Sequence, residues 1–248
     1  MKKRHKKISL RTLDESEENE IREFLDELEQ NLELDSLSHI LHSLLHELIT
    51  NGVKANLKRA FFQEHEYDPD DPESYIRGVR EFKDNYLELA DKSIHRRALK
   101  NLDLNTTIEF HMDEDRLLIQ VENNVLMLPE EERRIRDKLN KAMGTRDLVE
   151  YAKDYEDETE GKGLGLAMII LLIKFLGFSP EHFRVYSHEG GTIARLEFPL
   201  NKDYVPIRAR KHTSGSNGDD EEHSARFQAT PIEQAASGFV MPGRVRPA

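Results

Sequence analysis

Residues 158–177 read "ETEGKGLGLAMIILLIKFLG". Gly161, Gly163 and Gly165 stand at alternate positions directly before an apolar run. Each glycine gives up more conformational freedom on folding than any other residue, so three together call for a tight turn or a close backbone approach. The run from Leu164 to Leu176 has helical length and almost no polar face, which predicts a helix buried on most sides. A helix N-terminus presents unpaired N–H groups and a positive dipole end, and glycines let an anion such as phosphate come close to it. No strand directly precedes the glycines, as a dinucleotide-binding turn needs, and no Gly-Lys-Ser/Thr closes them, as a P-loop needs. A bare turn also fits the pattern.

Outward from this stretch the chain alternates helical and strand-like segments. Residues 14–33 carry Ile21, Phe24, Leu25 and Leu28 at helical spacing on an acidic background. Residues 35–62 predict a longer helix with a wide apolar stripe through Leu41, Leu44, Leu45, Leu48, Ile49 and Val53. The run "HEYDPDDPE" (65–73) reads as a loop, followed by one charged helix over about 73–100. "TTIEFHM" and "RLLIQVEN" flank "DED" as a β-hairpin, and Pro129 with three glutamates opens a helix. A second strand pair, "HFRVYSH" and "GTIARLEFPL", surrounds "EGG". The expected fold is α+β: a two-layer sandwich, a mixed sheet with helices on one face. Residues 1–13 read as a disordered basic arm and 201–248 as a disordered tail.

Bulk composition narrows the function. With 48 acidic against 36 basic residues, the formal charge is -12, which disfavours general nucleic-acid binding. The absence of cysteine excludes disulfides and thiolate metal sites. No apolar run reaches the roughly 20 residues of a membrane span, so no stable membrane insertion is expected and a cytoplasmic setting is the default.

The 35–62 helix adds a second chemical element. Glu47, Asn51 and Lys54 recur at spacings of four and three, sharing one stripe at the edge of the apolar face, with Lys58 a turn further. A carboxylate can act as a general base, an amide oxygen can ligate Mg²⁺, and an ammonium can meet phosphate. Taken alone, the stripe is better read as an ordinary Glu–Lys surface pair.

Together the elements resemble the GHKL ATPases, the group of gyrases, heat-shock chaperones, mismatch-repair ATPases and sensor histidine kinases. "ELITNGVK" (47–54) resembles their N box in its histidine-kinase form, "GKGLGL" (161–166) the second glycine box, and Gly191-Thr192 the closing strand. The resemblance covers about residues 35–200, with 63–104 as an insert, and implies the Bergerat ATPase fold. It implies Mg²⁺ and ATP as cofactors, Glu47 as base and Asn51 as the metal ligand. It further implies Lys54, Gly161, Lys162, Gly163, Leu164 and Gly165 around the phosphates, with Thr192 nearby. The family's Asp-x-Gly-x-Gly box registers with Asn123, Val125 and Met127, so Asn123 would meet the adenine amino group while two glycines are replaced by side chains. "HELITN" (46–51) superficially resembles a phosphoacceptor box, but reading it so would consume the N box. The implied activity is therefore a Mg-ATP-dependent histidine-type kinase acting on a separate protein. The alternative is a catalytically weak GHKL scaffold that regulates a protein partner by contact. Residues 14–33 are a candidate homodimer helix.

Overall fold

The computed structural model describes residues 4–32, 37–87, 92–147, 149–151, 164–201 and 203–210. In chain order the elements are β1 (Arg4–Leu10), α1 (Glu15–Leu32), α2 (Leu37–Glu64), α3 (Pro72–Glu81), a π-helical stretch (Phe82–Leu87) and α4 (Lys92–Asn101). Then follow β2 (Thr106–Met112), β3 (Arg116–Asn123), α5 (Pro129–Gly144), α6 (Leu164–Phe175), β4 (Phe183–His188), β5 (Gly191–Pro199) and α7 (Ile207–Arg210).

The strands form one sheet in the order β1-β2-β3-β5-β4, and every neighbouring pair is antiparallel. The α+β class is as the sequence reads, but the sheet is antiparallel rather than mixed. The hairpins β2–β3 and β4–β5 are antiparallel through their short turns, and β3 meets β5 head to tail. One face carries the core: Ile8 and Leu10, Ile108 and Phe110, Leu117 and Ile119, and Leu196 and Phe198 are all buried. Leu41, Leu44, Leu45 and Ile49 of α2 and Ile169, Ile170 and Ile173 of α6 lie in the same core. Burying such side chains contributes on the order of 2 kcal/mol each before entropy is counted.

Three boundaries differ from the sequence reading. Residues 4–10, within the expected disordered arm, are an edge strand paired with β2 from Arg4↔Met112 to Leu10↔Thr106. The apolar content is only Ile8 and Leu10, at the end of a basic run, and alternation sends both inward. Its lysines suit an edge, where charge discourages pairing with other chains. The insert helix is broken in two: α3, capped by Asp71 Oδ2 accepting from Ser74 N at 2.8 Å, gives way to the π-helical stretch before α4. Tyr75, Val79, Phe82 and Tyr86 from this insert are buried beside Phe61 and Phe62 of α2, so its apolar stripe is core. Leu89 lies outside the described residues.

The expected tail also begins in ordered contact. The Tyr204 hydroxyl donates to the buried Glu197 carboxylate, Ile207 N donates to the same Oε2 at 3.0 Å, and Arg116 Nη1 donates to the Tyr204 hydroxyl at 2.9 Å. A buried carboxylate needs such partners. Burial, and then the bond to Glu197, push the Tyr204 hydroxyl up to about 12. Residues 211–248 lie outside the described residues. In α1, Ile21, Leu25 and Leu28 are buried and Phe24 lies 4.7 Å from the Phe110 ring, so the apolar stripe proposed for a dimer seam packs within its own chain. Among the described residues no helix is long and apolar enough to cross a membrane.

Candidate functional site

A cleft of about 610 Å³ opens between α2, the turn after β3, α5 and the start of α6. Glu47, Asn51 and Lys54 line it from α2, Asn123 and Thr192 from the sheet, and Gly165 from α6. Gly52 brings α2 down onto the sheet: a Cβ there would stand 3.3 Å from Thr106 Cγ2 and 3.7 Å from Asn123 Cβ. The stripe and the sheet floor thus face one cavity.

At one end, Asn51 Nδ2 donates to Glu47 Oε1 at 2.9 Å. An ionised carboxylate only accepts, so the amide nitrogen must face it and the amide oxygen remains the atom offered to a ligand. Gly165 closes over the same carboxylate. A Cβ at that position would fall 1.7 Å from Glu47 Oε1, 2.0 Å from its Cδ and 2.7 Å from its Cγ. No side chain fits there while Glu47 keeps its place. The glycine therefore serves close approach. The first turn of α6, whose amides lack intrahelical partners, comes against a carboxylate, where its dipole favours negative charge. Leu164 is the first residue of α6. Gly161, Lys162 and Gly163 lie outside the described residues.

The other end is built differently. Asn123 is buried, and its Nδ2 lies 3.4 Å from Asn56 Oδ1; Asn56 Nδ2 in turn donates to Asn105 O at 2.9 Å. With its nitrogen engaged, the Asn123 side chain keeps an acceptor oxygen. Thr192, opposite Asn123 in the β3–β5 register, donates from Oγ1 to Val125 O at 2.7 Å and so pins the turn after β3. Arg59 Nη2 holds the same turn through Leu126 O at 2.9 Å, and Leu128 N donates to Glu131 Oε2 at 2.8 Å. Val125, Leu126 and Met127 line the cleft, and Leu126 is 52% exposed.

Glu131 fastens α5 to α2. Its oxygens lie 2.6 Å from Lys58 Nζ and 2.8 Å from Arg59 Nη2. Burial works to raise the Glu131 carboxyl, but the charges of Lys58 and Arg59 and the Lys58 hydrogen bond outweigh it and hold the group below the usual carboxylate range. Lys58 is accordingly part of a buried bridge and does not extend the Glu47–Asn51–Lys54 stripe. Lys54 is exposed at the cleft. Lys83, Arg134 and Lys138 also line it, and Arg134 Nη2 donates to the Tyr75 hydroxyl at 2.7 Å. In a chain of net charge -12, the cleft gathers five cationic side chains against Glu47 and Glu131.

These further cleft residues escaped the sequence reading. Glu131, Arg134, Ile135 and Lys138 share one face of α5 at helical spacing, and that periodicity was the available signal. Val79, Phe82 and Lys83 come from the insert, whose packing against α2 no local pattern announces.

No protein-family model matches the chain, and no solved structure matches it. A similar protein from Treponema pallidum (strain Nichols), described as an uncharacterized protein, is 36% identical over 155 residues, 62% of this chain and 30% of that protein. The matched region thus spans less than a third of that relative's length.

Proposed function

We propose that the cleft binds Mg-ATP and that the chain is a GHKL-type ATPase of the histidine-kinase-like branch, acting as a kinase on a separate protein. The single observation that carries this reading is the contact between Gly165 and Glu47. A glycine-led helix start and a polar α2 edge, more than 100 residues apart in sequence, meet within side-chain distance. The donor set fits the cofactor: an amide oxygen at Asn51, an exposed ammonium at Lys54, and an acceptor at Asn123 on the buried floor.

In this reading Asn51 Oδ1 would ligate Mg²⁺, Lys54 would meet phosphate oxygens, and the Asn123 side-chain oxygen would accept from the adenine amino group. Bound Mg-ATP supplies the transferable phosphoryl group and a cation that neutralises its charge. As the γ-phosphoryl group passes to the acceptor and ADP leaves, Glu47 would accept the proton that the acceptor hydroxyl, imidazole or water gives up, and its bond from Asn51 holds the carboxylate in place. The first turn of α6 offers N–H groups to anionic oxygens. The net charge of -12 argues against a nucleic-acid substrate, and a cytoplasmic protein partner belongs to the same reading.

A second reading has its own observation. Val125 and Met127 present side chains where the resembled family places glycines, which suits a scaffold that regulates a protein partner without turnover. Calorimetry with Mg-ATP and Mg-ADP on the purified chain separates the two. Binding in the micromolar to millimolar range, with turnover lost in Asn51→Asp, supports the kinase. No heat of binding with either nucleotide favours the scaffold, and full turnover in Asn51→Asp contradicts the role given to Asn51.

A further inference from the structure

On the opposite face of the sheet from the cleft, β1 and β2 bring together His5, Glu109 and His111. His5 and His111 are direct cross-strand partners, and Glu109 sits two residues before His111, so all three project from one face. The imidazole rings stack with centroids 4.4 Å apart and planes inclined by 22°. His111 Nε2 lies 3.3 Å from Glu109 Oε2, and one ligand atom from each residue lies within 4.8 Å of the other two. Among the described residues this is the one group of three such side chains that converges so closely.

We propose that His5, Glu109 and His111 form a surface binding site for a divalent transition-metal ion of the zinc class. Two imidazoles and a carboxylate are the ligand chemistry that Zn²⁺ takes, and three protein ligands leave a fourth position for water. Metal–ligand bonds of about 2.0–2.1 Å put neighbouring ligand atoms of a tetrahedral ion roughly 3.4 Å apart. The Glu109–His111 separation already meets that spacing. His5 is exposed and His111 half-exposed, so rotation about their side-chain bonds closes the remaining gap without moving the strands.

Lys7, cross-strand partner of Glu109, places Nζ 2.6 Å from Glu109 Oε1. The same ammonium competes with the metal for the carboxylate. Because β1 is the edge strand, an ion bridging His5 to His111 and Glu109 fastens the N-terminal strand to the sheet.

Titrating chelator-treated, tag-free full chain with ZnCl₂ alone tests the site. The expected result is one equivalent of bound Zn²⁺ and a thermal midpoint that rises with it. His5→Asn, His111→Asn and Glu109→Gln, each conservative, should each weaken binding about tenfold or more and abolish the thermal shift. A variant lacking His39, His42 and His46 together should bind as the parent does. Lys7→Met, which removes the competitor, should tighten binding several-fold, an outcome that generic surface histidines do not give. Unchanged affinity in His111→Asn, or weaker binding in Lys7→Met, overturns the proposal.

Discussion

The two ends of the cleft differ in what makes room for a ligand. At the Glu47 end, space exists because a side chain is missing: Gly165 leaves only a hydrogen where any Cβ would collide with the carboxylate. At the Asn123 end, the walls are side chains, Val125, Leu126 and Met127, and the turn is tied down by Thr192, Arg59 and Glu131. The first end is organised around one carboxylate and one amide. The second is a braced wall that depends on the ion pairs of Glu131 with Lys58 and Arg59. Chemistry should therefore be sensitive to single atoms at the first end, and affinity to bracing and shape at the second.

The largest expected effect is at Gly165. In Gly165→Ala the new methyl displaces the end of a flexible side chain, not backbone, so the fold should lose only about 1 kcal/mol, the worth of the Asn51–Glu47 bond. Turnover, which in the proposed reading needs that carboxylate in place, should fall about 100-fold or more. Comparing urea unfolding with ATPase rate checks both halves. A variant that unfolds readily and keeps its specific rate would reverse the contrast between the two ends.

Glu131→Gln comes next and strikes the second end. It leaves Lys58 and Arg59 without their shared carboxylate in a buried setting, a loss of roughly 3 kcal/mol. The pH dependence has a definite sign. The folded-state pKa of Glu131 lies below its unfolded value of about 4.3, so its contribution is complete above that value and fades as pH falls through the folded value. Parent and variant should differ in stability at neutral pH and converge under acid, as read by denaturant unfolding across pH. A gap independent of pH would mean that the carboxylate charge does not brace the turn.

A smaller effect should follow from opening that wall. Val125→Gly with Met127→Gly should tighten adenine-nucleotide binding several-fold, while the Glu47 end stays intact by turnover measured at saturation. Weaker binding would show that these side chains contact the ligand favourably and that glycines are not what the base end lacks. Smallest is Tyr204→Phe, outside the cleft. It removes one donor from the buried Glu197 and should cost about 1–2 kcal/mol in stability without changing nucleotide affinity.

Much of this contrast was legible in the sequence. Alternating runs pointed to β2 to β5 and the 3.6-residue stripes to α1 and α2, because in each the period of burial matches the period of the element, while α6 showed as a continuous apolar run of helical length. The spacing of Glu47, Asn51 and Lys54 placed them on one stripe, and the glycines announced a tight turn or a close approach. Other features depend on what the chain meets in space. β1 is a strand because β2 offers it an edge, and its two apolar residues are too few to signal this alone. Lys58 looked like a fourth member of the polar stripe and is instead paired to Glu131, 73 positions away in sequence. The mixed-sheet expectation failed because hairpin sequences fix their own pairing but not the direction in which two hairpins meet. The glycines at 161 and 163 lie outside the described residues, so the structural argument rests on Gly165.

The most direct test of the central claim is a titration of isotope-labelled protein with Mg-ATP, followed by amide and side-chain NMR shifts. The account predicts that the Gly165 backbone amide and the Asn51 and Asn123 side-chain NH₂ signals move together along one saturable curve. Absent shifts at these groups, or shifts confined to residues outside the cleft, would contradict it.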